Sequence, residues 1–88
     1  MKTIWKYTLV LTDDRIEIQM PVGARILHVA NQQNSPCMWV LVDTLAAFET
    51  RAFRIFGTGH QIPDGLTYVG TYQSDPLVWH VFEDREGE

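Results

Sequence analysis

The chain has 88 residues and a formal net charge of −4 at pH 7, and 45% of its residues are hydrophobic while 20% are charged. This length leaves room for one core, and three Trp, three Tyr and four Phe supply the large side chains that a small core needs. The negative charge argues against duplex DNA or an anionic membrane as main partner, since both need a basic surface, but it permits a basic protein partner or a small anionic ligand.

The first half of the chain shows the side-chain period of two that is typical of β-strands. One face of the first run carries four large residues: Trp5, Tyr7, Leu9 and Leu11. Residues 12–15 are a polar break of hairpin length, and residues 15–20 then alternate polar with apolar side chains, which predicts a strand with one exposed face. Pro21 and Gly23 end this strand, and residues 24–30 predict a third one.

The second half continues in the same way. Residues 31–36 predict a polar loop, and residues 37–42 are apolar on both faces, which indicates a central strand. Residues 43–50 are expected to be a loop or a single helical turn that starts at Asp43 or Thr44. The last three predicted strands and a charged, frayed tail follow at residues 51–56, 67–73, 77–83 and 84–88.

Short strands separated by turn residues predict an all-β domain over residues 1–83. We expect six or seven antiparallel strands in a small barrel or sandwich, with at most one short helical turn. The predicted core consists of large apolar residues from these strands, namely Trp5, Ile16, Ile18, Ile26, Trp39, Leu41, Phe53, Ile55, Trp79 and Val81. Edge strands of such a domain can pair between chains, so a homo-oligomer stays open.

Small flexible residues, a hydroxyl and an imidazole converge only at Gly57-Thr58-Gly59-His60, between two predicted strands. Glycines at such a place either expose backbone N–H groups to a ligand or simply turn the chain. The spacing matches neither the P-loop nor the dinucleotide-binding fingerprint, and the residues that follow cannot start a helix well. A ligand-contacting loop and a plain hairpin connection therefore both stay open.

If this loop binds a ligand, the contacts come from the loop, its root and a neighbouring strand. The candidate ligand-binding residues are Arg54, Gly57, Thr58, Gly59, His60 and Tyr72. Tyr68 and Tyr72 are predicted to share a strand face with Gly70 between them, which would leave a shallow slot for a ligand.

The three histidines, His28, His60 and His80, lack the spacing of metal ligands, and Cys37 has no Cys-x-x-Cys partner. We therefore predict neither a metal nor a cofactor, while a meeting of the three imidazoles in space stays open. His80 follows the period of its strand on the same face as two apolar residues, which favours a partly buried, hydrogen-bonded imidazole.

Catalytic patterns are also lacking, since the sequence has no Gly-x-Ser-x-Gly motif. His60 or His80 with Asp64 or Thr58 remains as a conceivable acid–base pair, which would make the protein a small nucleotide-processing enzyme. The inventory favours a binding protein over this alternative.

Cys37 is the only cysteine, so an intrachain disulfide is impossible, and its apolar neighbours predict a buried and inert thiol. Residues 1–11 do not resemble a signal peptide, and no apolar stretch is long enough for a membrane span. We therefore expect a cytoplasmic protein without a membrane partner.

Six segments carry a resemblance over nearly the full length of the chain: MKTIWKY at 1–7, MPVGA at 20–24, MWVLVD at 38–43, RIFGTGHQI at 54–62, YVGTYQ at 68–73 and VWHVFE at 78–83. This pattern resembles a family of small phage- and prophage-encoded proteins of uncharacterised function. The resemblance implies a small accessory protein in the cytoplasm of a host cell. It implies no catalytic residue.

By analogy with other phage accessory proteins of this size, the resemblance implies action against host defence. Two mechanisms are open. An acidic face could occupy a basic groove of a host defence protein, or the loop that begins at Gly57 could enclose a small nucleotide signal and sequester it. A virion or assembly component is a further alternative.

Overall fold

The computed structural model describes residues 1–85 and contains seven β-strands in two antiparallel sheets. In chain order they are β1 (Lys2–Thr8), β2 (Ile16–Pro21), β3 (Arg25–Gln32), β4 (Ser35–Asp43), β5 (Phe48–Gly57), β6 (Leu66–Ser74) and β7 (Leu77–Asp84). One sheet has the order β1-β4-β3 and the other the order β2-β5-β7-β6. The sheets pack face to face as a sandwich rather than a closed barrel, which confirms the all-β prediction.

The last strand extends into the predicted tail, and the described part of the chain contains no helix. The predicted charged tail begins at Asp84, which the structure includes in β7, and residues 86–88 of that tail lie outside the described residues. Residues 1–85 contain no helix, and so none with the length and hydrophobicity that a membrane crossing requires.

The connection between β1 and β2 passes from one sheet to the other, so the polar break at residues 12–15, although of hairpin length, does not form a hairpin. β1 ends at Thr8 and does not continue to Leu11. Leu9, only 2% exposed, belongs to the core between the sheets, and its N–H donates to the carbonyl of Pro36 at 2.7 Å. The chain therefore leaves the first sheet at Leu9, whose side chain is buried between the sheets. The sequence could not show this, because a polar break of four residues occurs both in hairpins and in connections between sheets.

The tight hairpin of the first sheet joins β3 to β4. Gln33 and Asn34 form its two-residue turn with φ angles of 52° and 64°. Positive φ at both central residues gives the turn a twist that matches the twist of paired strands. The predicted polar loop at residues 31–36 is therefore shorter than expected, because its flanks belong to the two strands.

Residues 44–47 form a turn, as one of the two sequence alternatives predicted, but β5 already begins at Phe48 and not at residue 51. The carboxylate of Asp43 accepts the Leu45 N–H at 3.0 Å and lies 3.3 Å from the N-terminal ammonium of Met1. The Leu45 hydrogen bond, supported by the ammonium group, lowers the pKa of Asp43 below its ordinary value.

The core lies between the inner faces of the sheets. Phe53, Ile55 and Val81 are buried as predicted, and five further predicted residues pack against the core while partly exposed: Trp5, Ile16, Ile18, Ile26 and Trp79. The prediction for Trp39 and Leu41 is wrong, because β4 turns its other face inward. That face is made of Met38, Val40 and Val42. A strand that is apolar on both sides does not reveal by its period which side is buried.

A β-bulge in β6 changes which face its side chains occupy. Tyr68 lies opposite Phe82 and Gly70 opposite Val81, so the register shifts by one residue between them. Tyr68 is consequently on the outer face and 57% exposed, whereas Tyr72 points into the core and is 5% exposed. The prediction that the two tyrosines share a face is therefore wrong.

Gly70 also sets the approach of the two sheets. A Cβ atom at this position would lie 2.7 Å from Cγ2 of Val29 on β3, which is closer than two carbon atoms can come. Val29 is 5% exposed and part of the core, so it has little room to move. The missing side chain of Gly70 thus allows the edge strands β3 and β6 to pack directly on each other.

We predict that Gly70→Ala destabilises the protein by about 2 kcal/mol, because the added methyl group overpacks a full site. Val29→Ala alone should also cost about 2 kcal/mol through the cavity that it leaves. In the double variant the new methyl group partly fills that cavity. The decrease in the free energy of unfolding, measured by urea denaturation, should therefore be clearly smaller than the sum of the decreases in the two single variants. Additive losses would contradict the proposed contact.

A buried ion pair crosses the inner face of the second sheet. Arg51 is 8% exposed and Glu83 is 4% exposed. Nε of Arg51 donates to Oε2 of Glu83 at 2.7 Å and Nη2 donates to Oε1 at 2.8 Å. Nη1 of Arg51 donates to the carbonyl of Ala24, just before β3. The guanidinium therefore joins β5, β7 and the start of a strand in the opposite sheet.

Candidate functional site

The candidate loop begins where β5 ends, and three of the four backbone N–H groups of residues 57–60 already donate within the protein. The His60 N–H donates to the carbonyl of Gly57 at 3.1 Å, and the Thr58 N–H donates to the carbonyl of Val78 at 3.2 Å. The Gly57 N–H donates to Nδ1 of His60 at 3.2 Å, so the imidazole folds back over the end of the strand. Gly59 turns the chain with φ of 92°, which a side chain would disfavour.

Gly57 allows two rings to close over the strand end. A Cβ atom at this position would lie 3.1 Å from Cε1 of His60 and 3.3 Å from the ring of Trp79. These two rings meet edge to face, with centroids 6.4 Å apart and planes at 79°. The absence of a side chain at residue 57 is therefore used for packing inside the protein.

A shallow depression of about 440 Å³, here called the Gly57 depression, lies between this loop and the start of β7. It is lined by Gly57, Thr58, His60, Leu77, Val78 and Trp79. Leu77 is 54% exposed, and Trp79 is partly buried against the core. The lining is mainly apolar, and its polar side chains, Thr58 and His60, already make hydrogen bonds within the protein.

A chain of hydrogen bonds runs along the outer face of the second sheet beside this depression. Tyr68 Oη lies 2.6 Å from Oγ1 of Thr71, which lies 3.0 Å from Nδ1 of His80. Nε2 of His80 lies 2.9 Å from Oγ1 of Thr58, which donates to the carbonyl of Val78 at 3.2 Å. His80 is half-buried and bonded through both ring nitrogens, as the sequence predicted.

The proton positions in this chain follow from the single acceptor at its end. Because Thr58 donates its only hydroxyl proton to a carbonyl, Nε2–H of a neutral His80 donates to Thr58. Nδ1 then accepts from Thr71, and Thr71 accepts from Tyr68. Each hydroxyl and both ring nitrogens therefore have partners without any ligand.

Aromatic rings continue this outer face away from the loop. Phe82 meets Phe56 and Tyr68 edge to face, at centroid distances of 5.8 and 5.5 Å. The guanidinium carbon of Arg54 lies 5.2 Å from the centroid of Phe56, within the range of a cation–π contact. Arg54 is thereby engaged on the sheet surface.

Comparison with known proteins assigns the chain to a family. The model of a domain of unknown function, DUF7352, matches residues 1–88. The chain belongs to the DUF7352 family. This confirms the expected membership of an uncharacterised family over the whole chain. The chain has no significant match among curated proteins or among solved structures.

In this DUF7352 chain the six predicted ligand-binding residues fall into three groups. Gly57, Thr58 and His60 line the depression, with Gly59 between them in the turn. Arg54 lies on the outer face of the sheet over Phe56. The side chain of Tyr72 lies in the core, and the structure does not bring it to the loop surface. Whether the loop binds a ligand remains a prediction.

The three histidines occupy different surfaces. His28 lies against Trp39 on the outer face of the first sheet, His80 on the outer face of the second, and His60 at the loop. Within residues 1–85, no three His, Cys, Asp or Glu side chains are grouped closely enough to hold a metal ion. Cys37 is buried, as expected, and its Sγ lies 3.8 Å from the hydroxyl oxygen of Thr8.

Sequence reasoning missed the far side of the depression. Leu77, Val78 and Trp79 reach the loop because β7 pairs with β5, placing Trp79 opposite Gly57. The order β5-β7-β6 inserts the last strand between the two strands that the loop connects. Local patterns do not contain this insertion, so only the pairing could have revealed these residues.

The core tyrosines make a pH prediction. Burial raises the pKa of Tyr72, and it also raises the pKa of Tyr7, which is less deeply buried. Neither hydroxyl has a hydrogen-bond partner among the described residues. A raised native pKa adds stability below the unfolded value of about 10, and this stability is lost as pH rises towards the native pKa. We expect these phenols to ionise, by absorbance near 295 nm, only as circular dichroism reports unfolding.

Two Tyr→Phe variants test this assignment. Tyr72→Phe should remove one late-titrating phenol and leave stability unchanged or up to about 1 kcal/mol higher, since it deletes a buried unpartnered hydroxyl. Tyr68→Phe, on the surface, is the matched control and should leave the late titration intact. Full ionisation of the native protein before any unfolding would show the assignment to be wrong.

Proposed function

We propose that this protein is a phage-type accessory protein that binds a host protein and neutralises it without catalysing a reaction. The proposed docking site is the Gly57 depression, which receives an apolar side chain of the host protein. One observation carries the proposal: the lining is largely apolar, at Leu77, Val78 and Trp79, while its two polar side chains, Thr58 and His60, already make hydrogen bonds within the protein. An apolar group gains contact area there without breaking these bonds.

The same geometry weighs against sequestration of a nucleotide at this loop. A phosphate would have to displace the internal partners of Gly57 and Thr58. Among the described residues that line the depression there is neither Lys nor Arg, and Arg54 is held over Phe56. Docking of a protein is therefore better supported than sequestration of a nucleotide, although the docking surface proposed here is an apolar depression and not the acidic face that the charge suggested.

The biological setting in the proposal is the cytoplasm of a phage-infected cell. It rests on the similarity of the sequence segments to phage and prophage proteins, together with the small size and acidic charge of the chain. The proposed host protein belongs to a defence system, and its occupation by this domain would keep it from acting.

A substitution at the rim of the depression tests the proposal. Leu77 is 54% exposed, so Leu77→Asp should fold normally while placing a charge where the partner's apolar group docks. We expect wild-type protein to raise phage plating on a host with the matching defence system, and Leu77→Asp to lose this effect. Calorimetry with the purified defence protein should show about tenfold weaker binding for the variant.

Leu45→Asp is the matched control, because Leu45 is 84% exposed in the turn between β4 and β5 and does not line the depression. It should bind as wild type does. Equal binding by both variants would remove the depression as the docking site. Heat of binding to a cyclic or ADP-ribose-type nucleotide, without effect on any defence protein, would favour sequestration instead.

A second candidate function has one specific observation in its favour. Oγ1 of Thr58 and Nε2 of His80 are 2.9 Å apart, within proton-transfer distance for a nucleophile and a base, and Thr71 contacts the other ring nitrogen. In this candidate, a small nucleotide-processing enzyme, Oγ1 of Thr58 attacks a phosphorus atom of the nucleotide while His80 accepts the hydroxyl proton. The bond from phosphorus to the oxygen of its leaving group breaks, and that oxygen leaves with the other part of the nucleotide and takes up the proton from His80. The hydrogen bonds described above oppose it, since the Thr58 hydroxyl would first have to turn away from the Val78 carbonyl and the ring proton of His80 would have to move from Nε2 to Nδ1.

Incubation with nucleotides separates the candidates. The docking proposal predicts no altered nucleotide. Three results together would establish the enzyme: wild-type protein forms a product from a nucleotide, Thr58→Val forms none, and Thr50→Val forms as much as wild type. Thr50 is a suitable control because it is exposed on β5 and hydrogen-bonded to Gln19, away from His80.

A further inference from the structure

The outer face of the first sheet, here called the basic face, concentrates positive charge on an acidic chain. The strand register places Lys2 beside Asp43, Lys6 beside Trp39, and Arg25 on the other side of β4 beside Leu41. Lys2 and Lys6 are the only lysines in the sequence. Three cations therefore lie on one sheet face of a protein whose net charge is −4.

One carboxylate on this face is already neutralised locally. Asp43 accepts the Leu45 N–H and faces the N-terminal ammonium at 3.3 Å. Lys6 donates to the side-chain oxygen of Gln32 at 2.8 Å, a bond that spans β4 without using a negative charge. The cations of the basic face thus have no matching set of carboxylates among its described residues.

The centre of the basic face is apolar. The ring of Trp39 lies 5.8 Å from that of His28 and is partly exposed between Lys6 and His28. Ile4 is 53% exposed and Leu27 is 45% exposed on the strands at either side. A depression of about 330 Å³ lies at one end of the face, and its lining includes Lys2, Arg25, Leu41 and the locally neutralised Asp43.

We propose that the basic face binds an acidic, amphipathic segment of a protein partner. Its carboxylates lie between Lys2 and Arg25 in the depression, and its apolar side chains cover Trp39 and Ile4. Opposite charge supplies orientation and apolar contact supplies affinity.

Two other occupants fit the surface less well. A second copy of this chain, paired face to face, would bring Lys2, Lys6 and Arg25 towards the same cations of its partner. Single-stranded nucleic acid is bound by stacking on several aromatic rings, whereas this face offers one Trp and one His ring beside mostly aliphatic side chains. The aliphatic content and the charge together favour an acidic protein segment.

A randomised peptide library tests the chemistry of the partner directly. Selection on immobilised wild-type protein should enrich peptides that combine Asp or Glu with large apolar residues. The best peptide should lose about tenfold in affinity for Arg25→Glu, where a charge pair is lost and repulsion gained. Its affinity should also fall as salt is raised.

Arg54→Glu is the matched control, since it makes the same charge change on the outer face of the other sheet. It should leave the affinity within twofold of wild type, a change at the scale of ordinary surface substitutions. Enriched peptides without net negative charge, equal weakening by both variants, or tighter binding of an oligothymidine than of the peptide would each overturn the proposal.

This inference goes beyond the proposed function and does not depend on the Gly57 depression. Leu77→Asp lies in the other sheet and should bind the selected peptide as wild type does. If Leu77→Asp no longer raises phage plating but still binds the selected peptide, the Gly57 depression and the basic face act independently. If Leu77→Asp and Arg25→Glu both abolish peptide binding, the basic face is not the site.

Discussion

The Arg51–Glu83 ion pair is the constraint on which the rest of the sandwich depends. A charged group inside a small core is costly unless a partner and hydrogen bonds compensate it. Arg51 meets this condition through two bonds to Glu83 and one to Ala24. A one-residue slip between β5 and β7 would move one charge of the pair to the opposite face, so the pair selects a single register.

That register decides what each surface presents. With Arg51 inside, Arg54 and Phe56 face outward with His80, and the strand end meets Trp79 at Gly57. The second sheet thereby carries an aromatic and hydrogen-bonded face with an apolar depression at one end. The first sheet, on the opposite side of the core, carries the basic face. The two sides of the sandwich therefore present chemically different surfaces.

Much of the fold was predictable because period-two patterns are local. Residues 15–20 and 51–56 predict their strands and the inward side of each, and Gly57 with its neighbours correctly marks the end of β5. The errors have non-local causes. The bulge before Gly70 reverses the face of Tyr72, and the packing partner Val29 that requires this glycine lies on another sheet. The far wall of the candidate site depends on strand order, which adjacent residues do not encode.

One clue to the register was present in the sequence. Arg51 is two residues from Phe53, and Glu83 is two residues from Val81, so each charged residue is predicted to lie on the same strand face as a core residue. The most direct test is an ¹⁵N NMR spectrum of the arginine side chains. We predict a slowly exchanging Nε–H signal for Arg51 that disappears in Glu83→Gln. An Arg51 Nε–H that exchanges as fast as that of the surface residue Arg54 would contradict it.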